Sequence, residues 1–168
     1  MDEKADVVPL RTPAHAPARA PLRVLPLPDH DRVGIVLVCR SRSVAQATLD
    51  FCVRLLPNGD PAPVAAVGPA AEGVVAAARQ VDQGVGVAVL CDLPDTARAV
   101  LALLDRAEEL TLPFPIRFCD APLVEGAVPA VATAAAGGDL AAVVEAAEDA
   151  YRVRKRPDHP HPHASPTG

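Results

Sequence analysis

Two uninterrupted apolar runs, VGIVLVC at residues 33–39 and GVGVAVLCD at residues 84–92, constrain the fold more than any other feature. Each has the length of a strand and neither alternates polar with apolar, so each needs cover on both faces. After the first run, Val44, Ala47, Phe51 and Leu55 repeat every three or four residues, which predicts a helix over 43–56. PNGDP then marks a turn, PVAAVG a short second strand, and residues 70–81 a second helix. Pro94 opens a third helix to about Leu110, where its missing N–H is not needed. PIRFCD reads as a fourth strand, placed toward an edge by Arg117. Pro122 opens a fourth helix to about Ala136, Gly137-Gly138 breaks it, and Asp139 caps a last helix to about Arg152. Strands alternating with helices over short connections imply right-handed crossovers. The expected class is α/β: a three-layer, doubly wound, mainly parallel sheet of four to five strands with helices on both faces.

The 168 residues fit one domain, expected over 33–152. Residues 1–32 carry six prolines among Ala and Arg, and 153–168 end in RPDHPHPHASPTG. Both stretches read as disordered or polyproline-like arms. Phe51, Phe114, Phe118 and Tyr151 are the whole aromatic complement, so Ala, Val and Leu must fill the interior. Base stacking on aromatic platforms is not expected. The net charge of −5 hides a partition: residues 33–150 hold 7 basic and 15 acidic side chains, a balance of −8, against zero before them and +3 after. An acidic body of this kind does not suit a nucleic acid. Cys39, Cys52, Cys91 and Cys119 form no CxxC pair, as expected of a reduced, cytoplasmic protein. The acidic start MDEKADVVPL does not read as a secretory signal, and neither a signal nor a membrane span is expected.

In doubly wound sheets, ligands gather beyond the carboxyl ends of the strands. Those ends carry Cys39-Arg40-Ser41, Gly68, Asp92 and Asp120. CRSRS at 39–43 joins the first strand to its helix, where free backbone N–H groups and the guanidinium groups of Arg40 and Arg42 suit a phosphate or carboxylate. The same arginines also suit pairing with Asp92 or Asp120. Arg40, Ser41, Arg42, Gly68 and Asp92 are thus the candidate anion-binding residues. Cys39, beside two arginines and a helix start, is a possible nucleophile, although a Cys ending an apolar strand more often packs. Asp92 either orients a partner group or caps the helix opened by Pro94. Neither GxGxxG nor GxxxxGK[ST] occurs, so a nucleotide held by either device is not expected, and no cofactor is implied. His15, His30, His159, His161 and His163 all lie in the arms. The domain therefore has no imidazole of its own. HPHPH lacks the supporting contacts of a dedicated metal site, and no metal is assigned.

GIVLVCRSRSVAQ, GVGVAVLCDL and DAPLVEGAVPAVATAAAGGDLAAVVEAAEDA together resemble the mannose-type enzyme IIA domain of the bacterial phosphotransferase system. The resemblance points to its dihydroxyacetone kinase (DhaM) branch and covers about residues 33–150. It implies a homodimer and a relay in which the carrier HPr phosphorylates a histidine in the turn after the first strand. That histidine then passes the phosphoryl group toward a dihydroxyacetone kinase subunit. Here Arg40 stands at that position, and a guanidinium, permanently protonated, offers no lone pair to phosphorus. The family's Gly-Thr-Asp-rich second loop is also altered, reading VGPAAEGVV. The expectation is a degenerate domain that serves as a binding or regulatory module. The alternatives are an active phosphotransferase subunit using Cys39, and a structural partner that dimerises through its Ala-rich last helices.

Overall fold

The structure, a computed structural model, describes residues 31–57 and 61–155. Most of both arms, all five histidines and Asn58–Asp60 of the expected turn lie outside the described residues.

The two apolar runs become adjacent strands at the centre of the sheet. β1 (Gly34–Val38) and β3 (Val87–Cys91) are buried at every position. They pair in parallel from Gly34↔Val87 to Val38↔Cys91. β2 (Val64–Val67) lies outside β1, and β4 (Ile116–Cys119) outside β3, giving an all-parallel order β2-β1-β3-β4. The position of Arg117 on an edge strand is as expected: its side chain is exposed there.

Alternation along each strand feeds two separate cores. Ile35, Leu37, Ala88 and Leu90 point into a layer built by α1 (Arg42–Leu55), α4 (Leu123–Ala135) and α5 (Leu140–Glu148). Val36, Val38, Val87 and Val89 meet α2 (Ala71–Val81) and α3 (Pro94–Leu104) on the opposite face. The chain is therefore a three-layer α/β molecule. Each fully buried Leu or Ile contributes roughly 1.5–3 kcal/mol relative to exposure. With so few aromatics, the rest of the cohesion depends on close approach of backbones. A Cβ on Gly34 would lie 2.4 Å from the Val81 carbonyl oxygen, and one on Gly126 would lie 2.7 Å from the Ala121 Cβ. The first contact seats the end of α2 on β1. The second seats the start of α4 beneath α5, whose Ala147 carbonyl oxygen is 3.2 Å away.

Two helix ends differ from expectation. α3 stops at Leu104, not Leu110, because the ladder tightens: Arg106 and Ala107 donate to carbonyls three residues back. A further turn ends at Thr111, in the left-handed region at φ 51°, with the Leu112 N–H on the Ala107 carbonyl. The Arg79 guanidinium covers the Leu110 and Thr111 carbonyls at 2.5 and 3.2 Å. The last helix stops at Glu148 and continues as a 3-10 turn, η1 (Asp149–Arg152). The other two signals act as read. The Asp139 carboxylate accepts from the Ala142 N–H at 2.8 Å, and Gly137, at φ 84°, ends α4 with Gly138 donating to Thr133.

The α1 stripe is turned the other way from the face a sheet-packed helix buries. Ala45, Thr48 and Cys52 face the core, while Val44, Ala47, Phe51 and Leu55 are exposed. The fully buried positions of α1 are all small, Leu49 and Leu56 pack against the core from its margin, and Val44, Phe51 and Leu55 stand on the outer surface.

Candidate functional site

β1 connects to β2 on one side while β3 continues on the other, so the sheet changes winding direction between β1 and β3. The carboxyl ends of those strands part there, which opens the crevice. The β1–α1 turn and Asp92 meet at that point.

Asp92 organises the turn. Its backbone N–H reaches the Val38 carbonyl at 3.3 Å, extending the β1–β3 pairing by one residue. Its Oδ2 then accepts from the Cys39 thiol at 3.0 Å and from the Arg40 backbone N–H at 2.9 Å. Its Oδ1 accepts from the Leu93 N–H at 2.9 Å, and the buried Thr96 hydroxyl also bonds the carboxylate. Burial alone would push the Asp92 pKa up, but the donors from Cys39, Arg40, Thr96 and Leu93 outweigh it and hold the carboxyl below its ordinary value. Asp92 thus stays ionised at neutral pH. It fills both roles left open by the sequence, tying down the start of α3 and fixing the neighbouring turn.

Cys39 takes the opposite character. Its side chain is buried, and burial together with its bond to the Asp92 carboxylate raises its pKa. The thiol is a proton donor to Asp92, not a thiolate aimed outward. Cys52 is pushed up to about 11, and Cys91 and Cys119 to about 12, chiefly by burial. All four cysteines are buried and free.

Arg40, Ser41 and Arg42 are exposed around the start of α1. Ser41 is the residue before the helix, and its side chain caps nothing. Its carbonyl accepts from Val44 and Ala45, which leaves the Arg42 and Ser43 N–H groups outside the helical ladder. Arg40 contacts Asp92 through its main chain, not its guanidinium. Among the described residues no ion pair engages Arg40 or Arg42, so both guanidinium groups face solvent beside a helix start. Gly68 follows the last rung of β2, where the Cys39 N–H donates to the Val67 carbonyl at 3.1 Å. No atom lies within 4 Å of where a Gly68 Cβ would stand, so neither packing nor backbone demands glycine there. Asp120 belongs to the rim of a neighbouring cleft of about 490 Å³, with Asp92, Leu93, Arg98, Phe118 and Tyr151. Its main-chain N–H donates to Glu148 at 3.2 Å, and its side chain does not cap α4.

Cys39, Arg40, Ser41, Arg42, Gly68 and Asp92 are therefore brought to one end of the sheet, as the strand order requires. Thr96 is the member that sequence reasoning missed. Its only signal was a position four residues beyond Asp92, on the helix that Pro94 opens. Among the described residues no group of three or more His, Cys, Asp or Glu side chains is placed to hold a metal.

Residues 34–144 match the family model EIIA-man, described as the PTS system fructose IIA component. The chain belongs to the EIIA-man family. This match spans every strand and all helices down to the middle of α5. A crystal structure of a protein of unknown function, EF1359, has the same fold at a TM-score of 0.57 and 20% identity, covering 70% of this chain and 94% of that one. No curated protein matches. The EIIA-man domain of this chain contains no histidine between residues 33 and 152. Among the described residues no helix is long and apolar enough to cross a membrane.

Proposed function

We propose that this EIIA-man domain is a DhaM-like member of a phosphoenolpyruvate-dependent relay that has lost its phosphoacceptor. In this reading it acts as a binding or regulatory module. The observation that carries the reading is the β1–α1 turn, where Arg40 is exposed to solvent and none of the described residues is a histidine. Phosphoryl transfer through a protein side chain needs a lone pair able to attack phosphorus, and arginine has none at accessible pH. What the turn retains is anion recognition: two guanidinium groups, the free N–H groups of Arg42 and Ser43, and the Ser41 and Ser43 hydroxyls. In this reading the site holds a phosphate or an acidic group of a partner without receiving it covalently. Its partners are HPr and dihydroxyacetone kinase subunits, the domain itself is a homodimer, and its location is the cytoplasm.

The test is incubation of the full chain with enzyme I, HPr and labelled phosphoenolpyruvate. No label should appear on the wild type. Titration with phosphate at low salt should give millimolar binding, weakened about fivefold by Arg42→Ala, which is roughly one charge-assisted contact near the surface. An acid-labile phosphoryl adduct on the wild-type chain sinks the proposal. A label lost in Cys39→Ser would establish the alternative acceptor, against which the raised Cys39 pKa already weighs.

A further inference from the structure

Phe51 and Leu55, from the C-terminal half of the outward stripe of α1, form one wall of an apolar groove of about 630 Å³, floored by Pro122, Val128 and Pro129 of the α4 segment. Tyr151 and Val153 close the far side. Phe51 is 47% exposed, Leu55 52% and Tyr151 65%, so large apolar groups stand uncovered along one seam. The only charged lining residues, Glu125 and Lys155, are paired with each other.

We propose that residues 21–28 of this chain, PLRVLPLP, occupy this groove. The chain enters the structure in the right place. Val33 is buried in the α1, α4 and α5 layer, and the Arg32 guanidinium reaches the Pro61 carbonyl, just beyond the end of α1 where Leu55 begins the groove. The Arg32 N–H bonds the Gln83 side chain at 2.7 Å, which fixes that exit. Residues 29–31 then span up to about 10 Å, and eight residues of polyproline II extend about 25 Å. Phe51 and Leu55 stand about 6 Å apart along the α1 axis, so the segment is long enough to cover both and continue over the α4 floor.

The chemistry agrees with the placement. Leu22, Val24, Leu25 and Leu27 supply apolar contacts, and the three prolines of 21–28 bring no backbone N–H that an apolar floor would leave unpaired. Grooves lined by aromatic residues suit such a preformed extended segment. Arg23 is its one charge and faces a body of net −8. Tyr151 also lines the cleft that contains Asp92 and Asp120, so a segment seated on it borders the anion site.

Tyr151 is the single tyrosine in a chain without tryptophan, so the fluorescence comes from one residue, at the edge shared by the groove and the neighbouring cleft. Acrylamide quenching of the full-length wild type should be weak for a phenol as open as that of Tyr151 in the groove by itself. The full-length double variant Leu25→Arg/Leu27→Arg should be quenched at least twofold more strongly. A synthetic peptide of residues 21–28 added to that variant should restore protection. Equal quenching of the wild type and the double variant would overturn the proposal. Protection that follows protein concentration and dimer mass in light scattering, indifferent to the double variant, would assign the groove to a second copy and overturn it. Protection lost only when residues 156–168 are altered would assign it to the C-terminal tail and do the same.

Discussion

A carboxylate with four donors and a thiol with a raised pKa make Asp92 and Cys39 a structural pair. Asp92→Ala removes the acceptor for all four and should cost about 1–3 kcal/mol in urea denaturation. The pH dependence has a definite sign. The folded pKa of Asp92 lies below 3.8, so its contribution is whole above about pH 5 and is lost as pH falls through the folded value. Wild type and Asp92→Asn should therefore converge in stability as the solution is acidified from pH 5 toward 2, and a constant gap across that window would contradict the assignment. Cys39 should react slowly with a disulfide reagent at pH 7.5 in the folded state, as should Cys52, Cys91 and Cys119. One fast stoichiometric thiol would reopen the nucleophile reading. Arg40→His places an imidazole in the turn where the relay is expected to deliver its phosphoryl group. That variant should gain label from HPr where the wild type gains none. If neither is labelled, the turn has lost more than its acceptor.

At the scale of elements, backbone proximity replaces bulky side chains. Gly34 admits the Val81 carbonyl to 2.4 Å of its absent Cβ, whereas Gly68 has open space around it. Gly34→Ala should therefore lose about 1–3 kcal/mol through forced separation of α2 from β1. Gly68→Ala should stay within about 0.5 kcal/mol of wild type. Similar losses at the two positions in urea melts would refute this packing account. α1 teaches a related lesson. Its apolar spacing identified a helix correctly, but periodicity reports a stripe without saying which way the stripe faces. The space beside β1 and α4 took Ala45, Thr48 and Cys52 in full and Leu49 in part, and Val44, Phe51 and Leu55 turned outward. The turn that follows the tightened end of α3 is held by a nonlocal contact: Arg79, from another helix, donates to its Leu110 and Thr111 carbonyls.

For the whole molecule, the charge partition and the winding of the sheet act together. The body of the domain is acidic, yet two arginines with no ion pair among the described residues stand at the winding reversal, so an approaching anion meets local attraction within general repulsion. Phosphate affinity should consequently fall as salt rises, since exposed guanidinium groups are screened over about 10 Å at 0.1 M. A salt-independent affinity would point to a different site. Light scattering of the purified chain should give twice the 17.4 kDa chain mass if the homodimer forms.

The order of elements, the parallel sheet and the lack of an imidazole in the domain were legible in the chain itself, because apolar run length, turn residues and residue identity are local properties. Arg40 and Asp92 could be nominated because strand ends follow from strand–helix alternation. That Asp92 binds the Arg40 main chain and the Cys39 thiol, that Thr96 joins them, and that Phe51 and Leu55 face outward beside Tyr151 are decisions of the tertiary structure. Each depends on distances between residues far apart in the chain, and those distances exist only once β1 and β3 lie side by side and the helices have settled at the depth their smallest residues allow.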